Sequence, residues 1–140
     1  MVPVDRGSRQ HLKIMQLLAA VDGDGTTPLV ECLVNSAGRL RRGMTAIVIT
    51  PSTDPGWVRP IAALRARGIG SVVVTLDALA ADQLERAERK RAGEPVAEPD
   101  QAASDERAKH ARAVRHALAE YELKVHTLTP GRSLAEALGS

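Results

Sequence analysis

Aromatic side chains are nearly absent from this sequence, which has no phenylalanine, one tryptophan (Trp57) and one tyrosine (Tyr121). A hydrophobic core must therefore consist of Leu, Val, Ile and Ala, a composition that favours layers of helix and sheet over an aromatic-rich β-sandwich. Proteins that bind single-stranded nucleic acid usually stack the bases on aromatic rings. Because the net charge is only +2, the composition also lacks a basic nucleic-acid footprint. We predict no nucleic-acid partner.

Cysteines and long apolar segments are also scarce. The single cysteine, Cys32, excludes an intrachain disulfide and a zinc site made of several thiols. This pattern fits a reducing compartment, and we expect a cytoplasmic location. No apolar segment approaches the roughly 18 residues that span a bilayer, so we predict no direct membrane insertion of this segment, although a longer parent protein could carry an anchor. Cys32 lies between Leu29 and Leu33 of a predicted helix, where a packed rather than reactive thiol is expected.

One strand–helix–strand unit, from Met44 to Asp77, organises the chain. Two continuous apolar runs, Ala46–Ile49 and Val72–Val74, are typical of strands that helices cover on both faces of a parallel sheet. The segment between them carries apolar residues at helical spacing. Asp54 can cap this helix, and Gly68 is the residue type that best tolerates its C-terminal position. Two strands joined by one helix and short loops predict a right-handed parallel crossover.

The flanking segments add helices and one more strand. The patterns predict helices that start at Ser8, Pro28, Ala78, Ser104 and near Leu134, and a strand from Leu123 to Leu128. Residues 1–7 carry no periodicity and are predicted to be a flexible lead-in, and residues 93–103 are predicted to be a surface loop or linker. We therefore predict a single domain over residues 1–140. Its fold class is α/β, a three-layer, Rossmann-like arrangement with a short parallel sheet of three strands flanked by helices.

Polar residues follow both strands of the central unit. They are Thr50, Ser52, Thr53, Asp54 and Asp77. Ligands of open α/β sheets bind at the carboxyl ends of the strands, and helix N-termini there can hold an anion. Capping of the following helices is the alternative role for Thr53, Asp54 and Asp77. Neither a dinucleotide fingerprint nor a phosphate-binding P-loop motif is present, so we predict no cofactor.

No residues suggest catalysis. The histidines are scattered, and His110 and His116 are six residues apart, whereas paired zinc ligands on a helix are usually four apart. Ser52 lacks the glycine-flanked elbow of a hydrolase nucleophile. We predict that the protein is not an enzyme.

The stretch GMTAIVITPSTDPGWVRPIAALRARGIGSVVVTLD, residues 43–77, resembles the C-terminal half of the bacterial domain of unknown function numbered fifty-eight. The residues around Thr26, Thr27 and Pro28, and the segment 40–43, are similar to the stretch that precedes the fourth strand in that family. The resemblance extends from about Leu12 to Leu138. It implies half of a von Willebrand factor A-like module, from a family often encoded near MoxR-type AAA+ ATPases.

The A-type module of that family binds a divalent ion, and this chain departs from its ligand pattern. The Asp-x-Ser-x-Ser motif occurs nowhere in the sequence. Thr26 or Thr27 matches the threonine that the family places on a later loop. Pro51 stands where the family has its second aspartate, and Asp54 follows three residues later. Since a hard cation needs several convergent oxygens, we predict no metal site.

These patterns lead to two functional expectations. If the strand over residues 44–50 has no outer neighbour, its unpaired edge invites pairing with another chain. We therefore expect a non-catalytic module for protein–protein interaction or assembly, a homodimer formed across that edge or through swapped helices. The resemblance adds an AAA+ ATPase as a candidate protein partner. The alternative is a small-ligand or anion-binding domain that uses the strand-end turn 50–54.

Overall fold

The computed structural model describes residues 7–23 and 25–139, so the predicted lead-in lies, except for Gly7, outside the described residues. Helices precede, separate and follow three strands along this part of the chain. The elements are α1 (Ser8–Ala20), α2 (Leu29–Ala37), β1 (Thr45–Thr50), a 3-10 turn (Pro55–Trp57), α3 (Val58–Ala66), β2 (Gly70–Leu76), α4 (Ala78–Arg91), α5 (Gln101–Glu120), β3 (Lys124–Leu128) and α6 (Leu134–Gly139).

The three strands form one parallel sheet in the order β1-β2-β3. Val48 lies opposite Val73, which lies opposite Val125, so these side chains share one face. We call this the inner face, because α2, α3 and α5 pack over it. α6 packs on β3, where Nδ1 of His126 lies 3.2 Å from the carbonyl oxygen of Ala137 on the opposite face. The predicted α/β fold class, a parallel sheet flanked by helices, is confirmed.

The core lies between the inner face and the helices. Trp57, Ile61 and Leu118 are almost completely buried against Val48 and Val73. Fully burying an apolar side chain of this kind stabilises the fold by about 1.5–3 kcal/mol. The core thus contains one aromatic side chain, the indole of Trp57, and aliphatic side chains surround it.

Local signals place both ends of α3 as predicted. Oδ1 of Asp54 accepts a hydrogen bond of 2.9 Å from the Gly56 amide and thereby caps the 3-10 turn that leads into α3. At the other end Gly68 has φ of +75°, donates to the Arg65 carbonyl, and is followed by Ile69, which donates to the Leu64 carbonyl. This pair of hydrogen bonds is the Schellman motif that terminates a helix.

Other local predictions were wrong. α5 starts at Gln101 rather than after Ser104, because the Asp100 carboxylate accepts hydrogen bonds from two amides of its first turn. Residues 101–103, expected in the loop, are therefore helical. Cys32 is exposed rather than packed.

The face of the sheet opposite the core is largely open at β1. Ile47 and Ile49 are 66% and 64% exposed, so the prediction that helices cover both faces of this strand was wrong. The cause is topological: the chain crosses the sheet in a single direction, β1 to β2 to β3, and crossovers of one hand then place α3 and α5 on the same side. Of the described helices, none is long and apolar enough to cross a bilayer.

Candidate functional site

A cleft of about 820 Å³ opens at the carboxyl ends of the strands. The structure brings all five sequence-predicted residues to its wall: Thr50, Ser52, Thr53, Asp54 and Asp77. Thr50 is the last residue of β1, Ser52, Thr53 and Asp54 lie on the turn that follows it, and Asp77 follows β2. They converge because parallel neighbours end at the same edge of the sheet.

Hydroxyl groups dominate the floor of the cleft. The Thr50 hydroxyl oxygen, on a buried side chain, accepts a hydrogen bond of 3.0 Å from the Ser52 amide. The hydroxyls of Thr75 and Thr127, at the ends of β2 and β3, lie 3.1 Å apart and share a hydrogen bond. Such groups act as both donors and acceptors, so the floor can bind either the oxygens or the N–H groups of a ligand.

The carboxylates of the cleft already have partners. Asp54 caps the 3-10 turn, and Oδ1 of Asp77 accepts a hydrogen bond of 3.0 Å from the Ala80 amide at the start of α4. The capping role that the sequence left open therefore applies to both residues, and both still line the cleft. The third carboxylate, of Asp82, lies 2.7 Å from the guanidinium of Arg107. Within residues 7–23 and 25–139, no cluster of three acidic, His or Cys side chains is arranged to hold a metal ion.

The wall of the cleft that α5 forms was not predicted from the sequence. Arg107, Ala111 and Arg115 of α5 line it, and their spacing of four residues places them on one side of that helix. The spacing was visible in the sequence, but no local signal indicates that this side of α5 faces a turn more than fifty residues away. The two arginines bring positive charge to a cleft whose other polar lining side chains are aspartates and hydroxyls.

The metal-binding resemblance concerns Thr26, Thr27, Pro51 and Asp54, and all but Thr26 lie at the cleft. Thr27 and Pro51 line the cleft. Thr26 is exposed and does not belong to the lining.

A second candidate surface is the open side of the sheet. We call Ile47, Ile49 and Val72 the outer apolar face; Val72 is half-buried and lies opposite Ile47. β1 is also an edge strand, paired only with β2 among the described elements. Exposed apolar side chains beside an unpaired strand edge are typical of an interaction site.

Comparison with protein-family models gave no match, and neither the curated proteins nor the solved structures gave one. The family resemblance and the partner that it implies therefore stay predictions.

Proposed function

We propose that this protein is a non-catalytic α/β module that assembles with another protein chain, as a homodimer, through the region of β1. The observation that carries the proposal is the exposure of Ile47 and Ile49, at 66% and 64%, on an edge strand of the sheet. Covering the exposed part of each side chain contributes about 1–2 kcal/mol, taken as two-thirds of the value for a fully buried isoleucine. A cytoplasmic location and an AAA+ ATPase as a further partner belong to the same proposal and rest on composition and on resemblance.

Light scattering coupled to size-exclusion chromatography tests the assembly. We expect a dimer at tens of micromolar, and a monomer for the double variant Ile47→Lys, Ile49→Lys. The matched control is the double variant Val34→Lys, Leu84→Lys, which adds the same charge at exposed apolar residues of α2 and α4. A wild-type chain that stays monomeric at tens of micromolar would contradict the homodimer.

The second candidate function is small-ligand or anion binding, and the cleft of about 820 Å³ is the observation that favours it. Its size is within the range of pockets that hold small molecules. Thr53 lines it from the turn after β1 and Arg115 lines it from α5. Among the described residues, the Arg115 side chain makes no hydrogen bond or ion pair. A guanidinium in this position suits a phosphate or a carboxylate.

A thermal-shift screen with nucleotides and phosphorylated metabolites tests this function. A hit should be lost in the double variant Thr53→Ala, Arg115→Ala and kept in Arg112→Ala, which removes an arginine of α5 outside the lining. Asp54 is left unchanged because its substitution would also remove a cap. A screen without any shift would remove ligand binding as a function.

A further inference from the structure

We infer that the outer apolar face is covered by α1 of a second copy of this chain, in a reciprocal exchange of helices between two protomers. This inference rests on the proposed homodimer and specifies which surfaces form it. It is carried by two apolar surfaces of the same chain, one on a helix and one on the sheet, whose side chains stay largely exposed to solvent.

The large apolar side chains of α1 are mostly uncovered. None of its described residues is buried, and the large apolar side chains of α1 and its C-terminal cap are between 40% and 63% exposed. These side chains are Leu12, Ile14, Met15, Leu17, Leu18 and Val21. An isolated helix of fewer than about 12–15 residues is marginal in water, and most helices are stabilised by packing an apolar face. α1 has 13 residues, so its stability depends on a surface that covers it.

The apolar residues of α1 form a stripe suited to a sheet. Ile14, Leu17, Leu18 and Val21 follow the spacing i, i+3, i+4 and i+7 and therefore lie on one face. Arg9 and Lys13 fall outside this stripe and can remain in water. An apolar stripe of this kind can pack against the isoleucine and valine side chains of the outer apolar face.

The dimensions of the two surfaces agree. A helix of this length extends over about 20 Å and is about 10 Å wide with its side chains. A strand of six residues such as β1 is also about 20 Å long, and neighbouring strands are about 4.8 Å apart. One α1 helix therefore covers β1 together with the adjacent edge of β2, which is the area that Ile47, Ile49 and Val72 occupy.

The helix of the same copy does not make this contact. Ile47 and Ile49 remain exposed although α1 belongs to the chain. The segment after α1 leads into α2, and α2 packs over the inner face, against the 3-10 turn and α3. α1 is thus connected to the side of the sheet opposite its binding surface, an arrangement that favours exchange between two copies.

The area is sufficient for a reversible dimer. Each contact between one α1 helix and one outer apolar face covers about 200 Å² in projection, since the helix is about 20 Å long and about 10 Å wide. Two such contacts, each counted on the helix and on the sheet, cover about 800 Å² in projection. Weak, transient interfaces bury less than about 1,200 Å², so this contact falls in the weak class. We therefore expect a concentration-dependent dimer rather than an obligate one.

Disulfide trapping tests the contact on the full chain. In a Cys32→Ser background, which removes the only native thiol, one chain carries Leu18→Cys and another carries Ile49→Cys. Both positions are exposed, so the substitutions leave the core unchanged, and the fluorescence of buried Trp57 verifies folding. On mild oxidation at a concentration where the wild type is dimeric, we expect a disulfide between the two different chains. Replacing Leu18→Cys with Leu84→Cys on α4 provides the matched control and should give no such product.

The outcomes separate this inference from the proposed function. A wild-type dimer in which chains carrying Ile49→Cys link only to one another would overturn the docking of α1 while leaving the homodimer in place. An intrachain disulfide, in a monomer that carries both substitutions, would show that α1 docks on its own sheet and would also overturn the inference. A wild-type chain that is monomeric at tens of micromolar would overturn the inference and the homodimer together.

Discussion

Two neighbouring residues of β1 provide a direct test of the one-sided sheet. Val48 is 8% exposed on the inner face, whereas Ile49 is 64% exposed on the outer face. Truncation of either residue to alanine removes a β-branched side chain from the same strand, so the loss of strand propensity is similar in both variants. The difference in the free energy of unfolding then reports how much each face is covered.

Ile49→Ala removes more atoms than Val48→Ala but should lower the free energy of unfolding by less. Val48→Ala removes two buried methyl groups and leaves a cavity in the core, which costs about 2–3 kcal/mol in all. Ile49→Ala removes three carbon atoms, but they are only about one-third buried and leave no cavity, so the expected cost is about 1 kcal/mol.

Urea unfolding at submicromolar protein measures both costs, with the fluorescence of Trp57 as the signal. Trp57 is the only tryptophan and is 1% exposed, so its emission reports loss of the core. At that dilution the proposed dimer is dissociated, and only contacts within one chain contribute. A cost for Ile49→Ala equal to or above that of Val48→Ala would refute the open outer face.

Two further predictions concern the ends of helices and use the same unfolding assay. Asp77→Ala removes the cap of α4 and should cost about 1 kcal/mol, whereas Asp77→Asn should cost only a fraction of that; equal costs would argue against capping. Gly68→Ala forces a side chain into the left-handed region, at about 1–2 kcal/mol, and brings it to about 3.0 Å from Cγ of Arg42. Gly93→Ala causes the same backbone strain, but no atom lies within 4 Å of the added methyl group, so it should cost less. Adding Arg42→Ala to Gly68→Ala should therefore lower its cost to that of Gly93→Ala.

Much of the fold could be predicted because its signals are local. The apolar run that ends in Ile49, the cap at Asp54 and the glycine at position 68 each act within a few residues of where they occur. Such signals define a strand, a helix start and a helix end without knowledge of the rest of the chain. The parallel pairing then follows, because the connection is too long for a tight hairpin and contains a helix.

Coverage of the strands could not be predicted, because it depends on where distant helices pack. The run 46–49 has the composition of a strand buried on both faces, yet Ile47 and Ile49 face solvent in one copy of the chain. The same limit applies to Cys32, which lies between two packed leucines in the sequence but on the exposed side of α2.

The candidate site, too, was predicted from the sequence only in part. The turn after β1 and Asp77 were identified because strand ends meet at one edge of a parallel sheet. The wall formed by Arg107 and Arg115 was not, since only the packing of α5 across the sheet brings these side chains to the turn.

The five isoleucines of the chain allow a direct test of whether the outer apolar face is an assembly surface. In a sample with labelled isoleucine methyl groups, a soluble paramagnetic agent broadens those that solvent can reach. At low protein concentration we expect broadening of Ile14, Ile47 and Ile49, with buried Ile61 and Ile69 unaffected. At tens of micromolar and above, Ile14, Ile47 and Ile49 should become protected together. Methyl groups of Ile47 and Ile49 that stay equally accessible at every concentration would contradict it.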